Sequence, residues 1–177
     1  MTQKFAPTQI LFHWVIFILV ALTYAAMELR DFAPSGSDLR DWMKLMHYTL
    51  GVTVLILMLI RLVIKTRHKD PNITPTPPRW QIILAKAVHG ILYLMFISLP
   101  ILGILTLYYG NVHWSYFSIA MPVAGQENDD VRQTIKSLHE LIANTGYFII
   151  GLHAAAALFH HYFLRDNTLI RMMPGKR

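Results

Sequence analysis

The chain reads as an all-α protein, a transmembrane four-helix bundle. Three observations carry that reading. Hydrophobic residues make up 54% of the 177 and charged ones only 15%, where a soluble domain carries about 25% charged. Four apolar stretches approach or exceed the roughly 20 residues needed to cross the hydrocarbon of a bilayer. Lys and Arg collect in alternate connections between those stretches, the bias that orients a membrane protein.

The first stretch is free of charge from Phe5 to Met27 and contains His13 and Trp14. It is longer than the apolar core of a signal peptide, and a first helix is expected over about 8–27. ELRDFAPSGSDLRD then breaks the chain with Pro, Gly and Ser, with Asp38 placed to cap the next helix. That second helix is expected over about 39–66, where Lys44, Arg61 and Lys65 can snorkel to the headgroups. The connector TRHKDPNITPTPPRW is basic and too rich in proline to be helical throughout. A third helix is expected over about 81–109, kinked at Pro100 and ending on the interfacial pair Tyr108–Tyr109. NVHWSYFSIAMPVAGQENDDVR is the longest loop, aromatic first and acidic last. Negative charge suits the start of the fourth helix, expected over about 133–164. With no internal repeat, residues 1–177 read as one integral-membrane domain.

Orientation follows from the charges. The loops after the first and third helices share only Arg30, Arg40, Lys44, Arg132 and Lys136, and the remaining Lys and Arg lie at the N-terminus, in the middle connector and in the tail. Both termini are therefore expected in the cytoplasm. The pI near 9.7 reflects these short tracts and not a continuous basic face, so nucleic acid is not expected as a partner.

Cysteine is absent among the 177 residues, which excludes disulfides, thiolate-held clusters and covalent haem attachment. A metal or cofactor must then rely on other donors, and the nine histidines point to haem. The fourth helix carries His139 and His153 almost four turns apart, about 21 Å along one face, with Ala143, Gly146 and Ile150 between them. Small residues beneath two spaced imidazoles leave room for something flat and wide.

In an even bundle every histidine acquires a depth. On the outer side His47 opens the second helix and His139 the fourth, with Gly51 one turn below His47. On the inner side His13, His89 and His153 lie at one level, three candidates for two ligand positions, and periodicity does not choose between His13 and His89. Ionisable groups inside a bilayer are costly and point to function. The competing reading is a set of hydrogen-bonded core histidines. His68 and His113 fall in loops. Imidazole on both faces of an iron leaves no open position, so such a haem transfers electrons.

Arg40 and Lys44 precede His47, and Arg132 and Lys136 precede His139, all at helical-neighbour spacings. These four cations are expected to cap the outer haem, pairing its propionates or nearby carboxylates and drawing in a small anion.

His13-Trp14, the run from Lys44 through His47 and Gly51 to Arg61-Leu62, His89-Gly90, and the closing HAAAALFHHYF and DNTLIRMMP strings together resemble the bacterial cytochrome b561 family. The resemblance covers essentially the whole chain. It implies a four-helix, multi-pass protein of the inner membrane with two haem b groups, held by His13 and His153 on the inner side and by His47 and His139 on the outer. It further implies oxidation of superoxide, or another small periplasmic donor, on the outer side and reduction of ubiquinone on the inner. His160, His89 and Arg79 then stand on the possible quinone side, with Lys69 nearby in sequence. Membrane lipid is the other expected partner, and no protein partner is required. The outer loops are net negative, so attraction of superoxide would rest on the local cation cluster. The alternative function is a haem b anchor subunit for a periplasmic dehydrogenase or hydrogenase.

Overall fold

The computed structural model describes residues 4–175. Four long helices dominate it: α1 (Pro7–Arg30), α2 (Asp38–Arg67), α3 (Arg79–Tyr109) and α4 (Asp129–Tyr162). All four are long and apolar enough to cross a membrane. Each starts one to four residues earlier than expected, and α4 ends at Tyr162, short of the expected 164. α1 continues to Arg30. At the start of α2 it is Ser37, not Asp38, that caps: its Oγ accepts from the Arg40 N–H at 3.3 Å, and Asp38 and Asp41 fill the acidic first turn. α4 begins at Asp129, ahead of the expected 133, because Asn128 accepts from the Val131 N–H at 3.2 Å and Asp129 and Asp130 follow. α3 starts after Pro78 and runs through Pro100 to Tyr109.

The long loop holds an element the sequence does not announce. Ser115–Tyr116 (β1) pairs antiparallel with Ile119–Ala120 (β2), and Phe117 takes a left-handed φ of 52° in the turn between them. Tyr116 hydroxyl lies 3.2 Å from the Thr53 hydroxyl of α2, which fastens the hairpin across one end of the bundle.

α1 packs on α2, α2 on α3 and α3 on α4. The buried cluster is Ile16 and Val20 of α1 with Val54 and Met58 of α2, flanked by Tyr93 and Phe96 of α3 and Ile150 of α4. α1 and α4 meet through side chains: Tyr24 donates to the Ala143 carbonyl at 2.9 Å, and Tyr147 donates to Glu28 at 2.7 Å. The Tyr24 and Tyr147 rings lie edge to face, 4.8 Å between centroids. Large apolar side chains such as Phe17, Ile18, Leu94 and Phe148 point outward, as a lipid-facing surface requires.

Beyond Tyr162 the tail does not trail away. It turns at Arg165 (φ 53°), forms a 3-10 turn over Ile170–Met172, and folds back across the end that carries both termini. Trp14 Nε1 donates to the Met172 carbonyl at 2.8 Å, the Phe5 N–H to the Arg171 carbonyl at 3.1 Å, and the Thr74 N–H to Asn167 Oδ1 at 2.9 Å. Arg171 donates to the Pro71 carbonyl and is buried together with Asp166. N-terminus, middle connector and tail are thus tied into one cap.

Candidate histidine-pair sites

Toward the end away from the termini, α2 offers His47 and α4 offers His139. His47 Nδ1–H donates to the Thr23 carbonyl of α1 at 3.0 Å, and His139 Nδ1–H donates to the Leu99 carbonyl of α3 at 2.9 Å. A carbonyl can only accept, so both rings carry their proton on Nδ1 and keep Nε2 as the lone-pair nitrogen. A carbonyl behind a ligand histidine is the usual support for metal-bound imidazole. The His139 ring lies against α3 at Gly103, where an added Cβ would sit 3.5 Å from His139 Cε1, an ordinary contact.

The two rings stand 6.2 Å apart between centroids, at 74°. At the other level His13 and His153 repeat both values, 6.2 Å and 74°. His89 is closer to His153, at 5.3 Å and 66°, and is exposed on its side of α3. His13 Nδ1 is buried with no hydrogen-bond partner. Ala143, Gly146 and Ile150 face inward between the two levels, and Gly146 is fully buried.

A cavity of about 540 Å³ surrounds His47 and His139, within the roughly 300–1,000 Å³ range of small-molecule and cofactor sites. A Cβ on Gly51, which lines it, would meet nothing within 4 Å. Among the described residues no group of three or more His, Asp or Glu closes around a single ion. Two imidazoles at each level therefore suit a metal that brings its own equatorial ligands, as a porphyrin does.

Lys44, Arg132 and Lys136 line this cavity, and Arg40 does not. Arg40 turns back to Asp31 at 2.9 Å and to the Ala33 carbonyl at 3.2 Å, because the extended α1 brings that corner within its reach. Arg30 lines the cavity in its place. A first helix that ends at Met27 leaves Arg30 in a loop. Its signal was helical: Arg30 lies two turns beyond Thr23, whose carbonyl holds His47. Lys44 pairs with Asp41 at 2.8 Å, Arg132 with Glu127 at 2.8 Å, and Lys136 with Glu140 at 3.6 Å. Partly exposed pairs of this kind hold by only about 0–1 kcal/mol, so these cations can turn to another anion at little cost. Tyr48 and Trp114, with ring centroids 5.6 Å apart, complete the rim.

At the terminal end His160 is half-buried and tied to Asp166, while Arg79 and Lys69 are exposed. His68 and His113 are exposed as well. Arg61, on α2, lies with its guanidinium 5.6 Å over the Tyr93 ring.

Comparison with known proteins adds the decisive observation: residues 4–175 match the family model described as prokaryotic cytochrome b561. The chain belongs to the prokaryotic cytochrome b561 family. This b561-family chain is 46% identical over 175 residues to cytochrome b561 homolog 1 of Escherichia coli, covering 99% of each. It is 46% identical over 177 residues to the probable superoxide oxidase CybB of Yersinia pestis, covering 100% of this chain and 99% of the other. A more distant similarity, 30% over 184 residues and 98% of each chain, is to cytochrome b562 of Cereibacter sphaeroides. Membership makes this a multi-pass protein of the bacterial inner membrane and implies bound haem b and electron transport.

Proposed function

We propose that the protein takes electrons from superoxide on the periplasmic side and delivers them to ubiquinone on the cytoplasmic side, using two haem b groups. One would be held by His47 and His139, the other by His13 and His153. The observation that carries this is the repeated geometry, 6.2 Å and 74° at both levels. At each level the 6.2 Å between ring centres would leave room for one metal atom between the two imidazoles. His89, at 5.3 Å from His153, does not repeat the separation seen in the outer pair and is read as a neighbour of the inner pair.

Haem held between two imidazoles exchanges single electrons and has no open coordination position. The chain's own residues do the rest. Thr23 and Leu99 carbonyls fix the tautomers of the outer pair. Arg30, Lys44, Arg132 and Lys136 line the outer cavity and attract a small anion over the net-negative loops. Orientation, with both termini in the cytoplasm, is supported by the concentration of Lys and Arg at that end. The donor is supported by the 46% identity to a probable superoxide oxidase.

The test is stopped-flow reduction of the purified pigment by superoxide, with and without ubiquinone. Haem reduction by superoxide and reoxidation by ubiquinone are expected. Haems left oxidised by superoxide would remove the donor, and a hydrophilic dehydrogenase that co-purifies would move the reading to an anchor subunit.

A further inference from the structure

The terminal end holds a cluster that electron transfer alone does not use. His160 lies on α4 two turns beyond His153, about 10 Å further along the helix. Its Nδ1 is 2.5 Å from Asp166 Oδ2, and Asp166 is only 5% exposed. The other carboxylate oxygen, Oδ1, accepts from the Thr168 N–H at 2.8 Å. The buried Arg171 of the 3-10 turn, which donates to the Pro71 carbonyl, is close enough for charge attraction to Asp166 and to Asp70 of the connector. Burial alone would raise the carboxyl of Asp166, but the hydrogen bonds from His160 and Thr168 outweigh it and hold the pKa below its ordinary value. Among the described residues the hydrogen bond of the His160 ring is the one at Nδ1, which leaves Nε2 free of a protein partner. A carboxylate that fixes one ring nitrogen and leaves the other open is the arrangement by which histidine serves as a positioned acid or base.

We propose that His160 is the proton donor to the acceptor reduced at this end, and that Asp166 is the residue that positions it. This rests on the proposed reduction of a quinone here. A quinone becomes a quinol by gaining two electrons and two protons, and the electrons, one from each of two superoxide anions oxidised to O₂, bring no protons with them. His160 in its protonated form gives its Nε2 proton to a quinone oxygen as negative charge builds there. The O–H bond forms as the N–H bond breaks. The neutral imidazole keeps its Nδ1–H on Asp166, water from the same side of the membrane reprotonates Nε2, and a second transfer completes the quinol.

The variant Asp166→Asn keeps an oxygen for the Thr168 N–H while presenting an amide to His160, so it strikes the positioning bond and spares the tail. In the intact protein, superoxide is expected to reduce the pigment as before. Quinol formation at saturating quinone should fall about 100-fold, the low end of what a positioned acid–base group contributes, with KM nearly unchanged and the pH profile altered. Asp166→Glu should recover part of the rate. Infrared difference spectra of protein with isotope-labelled histidine should show a histidine protonation change on quinone turnover, lost in His160→Gln. Wild-type rate and pH profile in both Asp166→Asn and His160→Gln, with the wild type forming quinol, would overturn the proposal. A wild type whose pigment is reduced but forms no quinol would overturn the functional reading itself. If Asp166→Asn does not fold, His160→Gln, which leaves the Thr168 bond in place, decides.

Discussion

Gly146 sits midway between His139 and His153 on α4, where α1 and α3 both press against it. A Cβ added there would lie 2.5 Å from Tyr24 Oη and 3.1 Å from Met95 Sδ. The tyrosine hydroxyl is the end of a rigid ring, and it is held by its hydrogen bond to the Ala143 carbonyl at 2.9 Å. To reach ordinary contact the ring must move by about 1 Å, which breaks a bond worth about 0.5–1.5 kcal/mol. Overpacking at such a site costs about 1–3 kcal/mol more. Gly146→Ala should therefore destabilise the protein by about 2–4 kcal/mol. Gly103→Ala is the control, because its Cβ would meet the His139 ring at 3.5 Å, an ordinary contact. The assay is reversible denaturation in detergent or, where unfolding is irreversible, the rate of pigment loss on heating. Adding Tyr24→Phe to Gly146→Ala should recover part of the loss by removing the clashing oxygen. If Gly146→Ala matches the wild type, or if Tyr24→Phe makes the double variant worse by the full single-mutant cost, the clash argument fails.

Other outcomes are expected on the same grounds. On the proposed ligand set of two haems, His13→Ala should lower the haem content from two per chain towards one, whereas His89→Ala should keep both, as measured by the pyridine haemochrome against protein mass; the reverse pattern would exchange their roles. Lys136→Glu with Arg132→Glu should slow reduction by superoxide and flatten its dependence on ionic strength, since salt screens what these cations contribute. An unchanged rate would show that the cavity cations do not guide the donor. The depressed carboxyl of Asp166 implies a stability contribution that is fully present above its ordinary value of 3.8 and is lost as the pH falls through its lower folded value. Asp166→Asn should lack that acid-dependent part, seen as a smaller drop in thermal stability between neutral pH and pH values below about 4.

The helices were legible because hydrocarbon enforces long charge-free runs, and their ends were less so because caps are decided by single oxygens. Ser37 and Asn128 moved two helix starts by one to four residues. The β1–β2 hairpin left no trace in the pattern, since two-residue strands have no alternation to read. Depth brought His13, His89 and His153 to one level but could not rank them, and their different ring separations from His153, 6.2 and 5.3 Å, depend on packing that spacing does not encode. Helical spacing found Lys44, Arg132 and Lys136 for the outer cavity and misplaced Arg40, whose direction is set by Asp31 on a neighbouring turn of chain. Asp166 stayed hidden because its significance lies in a tail that folds back, a contact no periodicity encodes.

The apolar cluster of Ile16, Val20, Val54 and Met58 has an electrical consequence. It sets low-dielectric side chains between the two histidine levels, so an electron passed from one level to the other moves charge across an apolar layer. Under the proposed orientation each electron moving inward, with its proton taken from the cytoplasm, displaces negative charge against a membrane potential that is negative inside. That work is about 2.3 kcal/mol per charge per 100 mV for a full crossing. An energised membrane would then act as a back-pressure on turnover, and collapsing the potential with an ionophore would relieve it.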